Sequence, residues 1–168
     1  VVLDAKRGDE LGSRDANYMN PPTIVGDMVI AEPWAFELTS GEPRKRENPL
    51  TGEPSDWQFS RPGHHCGVVT TTPNMMFFRS GFIGYYDLYE DSGTKHFAGQ
   101  RLGCWINAIP SNGLVVIPEA SAGCVCLFSI TSTVVLEPRE GRSPAWGIYS
   151  VAGSATPVKK LAVNLGAP

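Results

Sequence analysis

A short phrase occurs four times in this chain and constrains its fold more than any other feature. The copies are Leu3-Asp4-Ala5-Lys6-Arg7-Gly8, Phe36-Glu37-Leu38-Thr39-Ser40-Gly41, Tyr86-Asp87-Leu88 running to Ser92-Gly93-Thr94, and Leu136-Glu137-Pro138-Arg139-Glu140-Gly141. Each places a hydrophobic residue before an acid and then a glycine turn. The acids Asp4, Glu37, Asp87 and Glu137 lie 33, 50 and 50 residues apart, close to the spacing of blades in a β-propeller. A second phrase, a polar turn leading into an apolar strand, recurs between them. It reads Gly26-Asp27-Met28-Val29-Ile30, Pro73-Asn74-Met75-Met76-Phe77-Phe78 and Asn112-Gly113-Leu114-Val115-Val116-Ile117.

No stretch keeps a helical period over three turns, so the fold class is all-β. The expected architecture is a partial β-propeller of about three to four four-stranded antiparallel blades. A propeller closes with roughly 4–8 blades, and at about 45 residues each the 168 residues supply fewer than most rings need. An unclosed run of blades exposes sheet edges that invite pairing with other chains. The remaining blades are therefore expected on a longer parent chain or on other subunits, with this chain a segment of a larger protein. Residues 1–140 are read as the blades. Pro43, Pro49, Pro54 and Pro62 mark an irregular, charged insertion over about 43–63. Residues 141–168 are read as last strands or the start of a next domain. Strands are expected over Thr23–Ala31, Trp34–Leu38, Val68–Thr72, Met75–Arg79, Ile83–Leu88, Trp105–Ile109, Leu114–Pro118, Cys126–Ile130, Thr133–Leu136, Ala145–Val151 and Val158–Leu165.

A net charge of −3 lacks the basic stripe of a nucleic-acid binder. Arg44-Lys45-Arg46 sits beside Glu42 and Glu47 and reads as a solvated loop. No apolar run is long enough to span a bilayer. Among the motifs of enzymes, Gly-x-Ser-x-Gly, the P-loop and Gly-x-Gly-x-x-Gly are all missing from the sequence.

The residues that can carry chemistry are few. Cys66, Cys104, Cys124 and Cys126 are an even set that suits two disulfides and an exported protein. Cys124 and Cys126 share one face if they lie on a strand, from which each could reach a different partner, Cys66 or Cys104, and four cysteines leave three connectivities open. His64-His65-Cys66 combines imidazole and thiolate, the donors that suit copper or zinc. Strand alternation would turn His65 and Cys66 opposite ways, and no Cys-x-x-Cys accompanies them. Asp87, Glu90 and Asp91 form an acidic turn that departs from the spacing of a calcium loop. Of Trp34, Trp57, Trp105 and Trp146, Trp57 lies in the polar insertion. It is the expected exposed ligand contact, for a sugar or a protein.

The stretch Leu3-Asp4-Ala5-Lys6-Arg7-Gly8-Asp9-Glu10-Leu11 resembles the repeat of quinoprotein-type propellers, which runs apolar-Asp-Ala, then Thr-Gly, then a short polar stretch towards a Trp; that closing Trp is missing here after Gly8, Gly41 and Gly93. Pro22-Thr23-Ile24-Val25-Gly26-Asp27-Met28-Val29 is similar to the strand opening that family's next blade. Phe78-Arg79-Ser80-Gly81, Gly103-Cys104-Trp105-Ile106-Asn107, Pro118-Glu119-Ala120-Ser121 and Gly123-Cys124-Val125-Cys126 resemble later blades of PQQ-binding-like repeat proteins, found in large secreted bacterial multidomain proteins. The resemblance covers roughly residues 1–140. It implies a fold, with a secreted or periplasmic location. Val125 separates Cys124 from Cys126, so the adjacent-cysteine ring that covers the quinone in the family's dehydrogenases is not written here. The function expected is a non-catalytic structural or recognition segment of an extracellular assembly, without a cofactor and without nucleic acid or a membrane span. The alternative is part of a redox enzyme using PQQ with calcium, or a copper protein.

Overall fold

The computed structural model describes residues 1–91, 93–97, 100–119 and 132–140, and the backbone of 148–150. All regular structure among them is β. β1 (Val2–Leu3) pairs with β2 (Glu10–Gly12). β3 (Thr23–Val25), β4 (Met28–Ala31) and β5 (Trp34–Glu37) form a three-stranded meander. β6 (Lys45–Glu47) and β7 (Pro54–Asp56) form a hairpin. β8 (Thr70–Thr71), β9 (Met75–Ser80), β10 (Phe82–Asp87) and β11 (Thr94–Phe97) form the next meander. A third comprises β12 (Ile109–Ser111), β13 (Leu114–Ile117) and β14 (Val134–Leu136). β15 (Ile148–Ser150) returns to pair with β11. Every pairing is antiparallel, and none of these sheets closes on itself.

Both repeated phrases are turns, and this is why they recur. The acid phrase makes one local structure at Asp4, Glu37 and Asp87. The backbone N–H four residues on, at Gly8, Gly41 or Asp91, donates to the acid's carbonyl at 2.8–3.0 Å. That fourth residue has positive φ each time, 76°, 70° and 46°, which explains the preference for glycine. Asp4 and Asp87 also accept, through Oδ1, backbone N–H bonds from the residues two and three positions on, the local pairing that short polar side chains make. Glycine and aspartate share the closing role, so the third copy closes at Asp91 rather than at Gly93. The same turn is built a further time at Asn48–Gly52, a copy hidden by its amide.

The second phrase makes the tight hairpin at the other strand end. Gly26-Asp27 joins β3 to β4, splitting the strand expected over Thr23–Ala31. Asn112 and Gly113 both have positive φ, as an Asn-Gly hairpin turn demands. The two phrases then meet. Leu38 N–H donates to the Asp27 carbonyl at 2.7 Å, and Leu88 N–H to that of Asn74 at 2.9 Å. Pro138 occupies the corresponding place after Glu137 and has no N–H to give.

The three meanders stack face to face around two cores, with β9 and β10 shared between them. Met76, Phe78 and Tyr86 pack against Val25, Met28, Ile30 and Ala35, with Trp57 and Phe59 filling the layer. Phe77 and Ile83, on the opposite face, pack against Ile117, Leu102 and Ala108. Successive residues of a strand point to opposite faces, so the unbroken run Met76-Phe77-Phe78 serves both layers. Gly84 stands opposite Phe78 because a methyl group there would meet the Phe78 ring at 2.5 Å.

Two expectations change. Residues 43–63 are not irregular throughout: they contain the β6–β7 hairpin, and β7 leads Trp57 and Phe59 into the first core. The strand expected over Trp105–Ile109 begins only at Ile109, because the preceding residues form a loop in which Asn107 donates to the Val68 carbonyl instead of joining a sheet. The strands expected at Cys126–Ile130 and Val158–Leu165 lie outside the described residues, as do Trp146 and most of 141–168. Among the described residues, no helix is long and apolar enough to cross a membrane.

Candidate functional site

Trp57 is buried, 5% exposed, not presented on a rim. Its indole N–H donates to Asp91 Oδ1 at 3.0 Å, and its ring lies 5.6 Å from Tyr86 and 6.3 Å from Phe59. A buried indole needs both the apolar contact and a partner for its N–H, and strand β7 delivers it to both. Asp91 also accepts from the Tyr86 hydroxyl and, at 3.3 Å, from Arg46 Nη1. Burial first, and then the hydrogen bond to Asp91, pushes the Tyr86 phenol well above its ordinary value. The acidic turn is thus a structural hub. Asp87 is taken up by its own turn, Asp91 by this cluster, and Glu90 by Lys95 at 2.9 Å.

Trp57 nevertheless helps to line a groove of about 240 Å³. Trp34, Phe36 and Pro43 supply its apolar wall, and Arg14, Asp15, Asn17 and Asp56 its polar lip. Two features fix this lip. The Arg14 guanidinium lies 5.2 Å from the Phe36 ring centroid and donates to the Gly41 carbonyl, while Asp56 pairs with Lys45. Backbone bridges Trp34–Gln58 and Phe36–Pro43 hold the wall. Ligand sites combine apolar walls with a few convergent polar groups in this manner.

A second polar locus lies where loop 61–69 meets loop 101–108. The Arg61 side chain is fully buried and forks onto Glu32, Nε at 3.0–3.1 Å from both oxygens and Nη2 at 2.7 Å from Oε2. Its Nη1 donates to the Gly67 carbonyl at 3.1 Å, and Asn20 adds a bond to Glu32 at 2.9 Å. Gly63 N–H donates to Ser80 Oγ at 3.0 Å, and Gly81 N–H to the His64 carbonyl at 2.7 Å. Gly67 backs onto the facing loop so closely that a methyl group would meet the Cys104 carbonyl oxygen at 2.2 Å. Asn107 donates to the Val68 carbonyl.

This frame collects some of the residues expected to act together and separates others. Cys66 and Cys104 are half-buried thiols, and both contact the Arg79 guanidinium. His64 Nε2 is 3.6 Å from Cys66 Sγ, but His65 Nδ1 turns away to the Gly63 carbonyl at 2.9 Å. Among the described residues, no three of histidine, cysteine, aspartate and glutamate gather as a metal ion requires, so the trio His64, His65 and Cys66 is not brought to one point. Cys124 and Cys126 lie outside the described residues. Arg79, Arg61 and Glu32 were not singled out by the sequence, because their partners lie far along the chain. A charged residue inside an apolar strand, as Arg79 is in Met76-Phe77-Phe78-Arg79, is the one signal that points to it. No family model, no curated protein and no solved structure matches this chain.

Proposed function

We propose that this chain is a non-catalytic structural and recognition segment of a β-propeller, carried by a secreted or periplasmic multidomain protein. The observation that carries this reading is the face-to-face stacking of three antiparallel meanders, each begun by the same hairpin phrase. Radial repetition of such sheets is how a propeller is assembled, and the likeness of the acid phrase to PQQ-binding-like repeats agrees with it. The remaining blades come from the parent chain or from other subunits. The contact surface is the groove at Trp34, Phe36 and Trp57. Its aromatic wall fits the apolar face of a sugar ring, and Asp15, Asn17 and Asp56 fit its hydroxyls.

The test is an NMR titration with neutral mono- and disaccharides, following the four tryptophan indole N–H signals. Shifts of the Trp34 and Trp57 signals that vanish in Trp34→Ala support the assignment. Silence at the groove, with uptake of PQQ plus calcium or of copper in a native mass spectrum, overturns it in favour of a redox protein.

A further inference from the structure

We propose that Cys66 and Cys104 are a reversible dithiol–disulfide pair, a redox-modification site that clasps loop 61–69 to loop 101–108. The inference stands on this locus alone and does not depend on the sugar groove. Arg79, only 1% exposed, places Nη1 at 3.1 Å from Cys104 Sγ and 3.8 Å from Cys66 Sγ. The sulfurs are therefore at most about 7 Å apart. The backbones that carry them already touch at Gly67 and Cys104, and Asn107 ties the same loops together at the Val68 carbonyl. A disulfide brings its Cβ atoms to about 3.5–4.5 Å. The closure asked of the site is therefore a local one, between two loops that are already in contact.

A cation beside both sulfurs distinguishes this site from a metal centre. Arg79 repels a metal ion at that point, whereas it steadies the electron-rich sulfur of a thiolate during exchange. Access also fits. His64 is exposed, and Trp105 next to Cys104 is 75% exposed. A small disulfide such as oxidised glutathione can therefore reach Cys66 from solvent.

The chemistry balances with that oxidant. Cys66 Sγ gives up its proton, with His64 Nε2 at 3.6 Å to receive it. The sulfur then attacks glutathione disulfide, breaking its S–S bond and releasing one glutathione thiolate. Cys104 Sγ attacks the Cys66 sulfur of the mixed disulfide, forming the Cys66–Cys104 bond and releasing the second glutathione. Two protein thiols lose two electrons, one glutathione disulfide gains them, and the two protons end on two glutathione thiols.

The experiment equilibrates the full chain in buffers of graded reduced and oxidised glutathione, alkylates it, and maps it without reduction. Trypsin with a glutamate-specific protease cuts at Arg101 and Glu119, putting Cys104 on a different peptide from Cys124 and Cys126. The expected result is a peptide ending at Arg79 cross-linked to peptide 102–119, lighter by two hydrogens, and lost again in excess reduced glutathione. Cys66→Ser and Cys104→Ser each abolish it, Cys124→Ser/Cys126→Ser retains it, and His64→Gln slows its formation without changing its final extent. Cross-links from Cys66 or Cys104 to the peptide of Cys124 and Cys126 overturn the proposal. Thiols that remain alkylatable at every ratio, or a bond that glutathione never reduces, overturn it equally.

Discussion

Replacing Arg61 by methionine probes the buried frame that holds loop 61–69 in place. Methionine keeps much of the volume but removes four hydrogen bonds, three to Glu32 and one to the Gly67 carbonyl. It leaves a carboxylate that is 4% exposed with Asn20 as its remaining neutral donor. Breaking one side of a buried ion pair costs about 3–5 kcal/mol, since the surviving charge stays desolvated. Against a total stability of about 5–15 kcal/mol that is a large share. In a chain of this size it amounts to a fall in Tm of about 10 °C. The companion variant Glu32→Leu/Arg61→Met removes both charges, and its expected loss is much smaller than that of Arg61→Met alone, because apolar replacement of a buried pair is often neutral. Urea unfolding followed by tryptophan fluorescence measures all three proteins, with an unchanged m-value as the check that one transition is being compared. A loss below about 1 kcal/mol for Arg61→Met, or a double variant at least as unstable as Arg61→Met alone, refutes the argument that charge burial drives the effect.

Tyr86 and Gly67 allow two further tests. Because Tyr86 holds its proton in the folded state beyond the unfolded value of 10.0, its contribution is fully present below pH 10 and is lost as pH rises above it. Tyr86→Phe should flatten that alkaline decline in denaturant titrations across pH 9–11.5, and parallel declines in the two proteins would refute the assignment. Gly67→Ala and Gly113→Ala both place an L residue at φ near +75°. Only the first drives a methyl group into backbone, so the expected losses are about 3 kcal/mol or more against about 1 kcal/mol. Equal losses would show that the loop contact at Cys104 yields.

Much of the β framework was legible because it is punctuated locally. Glycine and asparagine announce the hairpins, and an acid four residues before a positive-φ position announces the broader turn. Each signal needs only five or six consecutive residues. Asn48–Gly52 is hidden in the sequence because its amide replaces the acid, although the backbone bond is the same. The site was far less legible. Trp57 lies among polar neighbours and looked exposed, yet its environment is set by Tyr86 and Asp91, roughly thirty residues downstream. Arg61 and Glu32 read as ordinary surface charges until the fold brings together residues 29 apart in sequence. All four cysteines were recognisable as disulfide candidates, but that Cys66 and Cys104 both lie against Arg79 is written next to neither of them. Local chemistry is written in adjacent residues, whereas pairing across sheets is written only in the packing.

The double-sided strand β9 has a consequence for how this chain finds its register. Where one face of a strand meets water, a slip by one residue is punished at once, because greasy and polar positions change places. Met75-Met76-Phe77-Phe78 offers no such penalty: shifted by one, it still presents apolar groups to both layers. The information that fixes alignment must sit at its ends. Thr72 and the Pro73-Asn74 corner clamp one end. Arg79, with Gly81 just beyond, marks the other, since a guanidinium displaced by one position would face hydrocarbon instead of sulfur. A central strand that is indifferent to its own alignment thus depends on two corners for its address. Substitutions there should produce misaligned, aggregation-prone chains before they produce merely weaker ones.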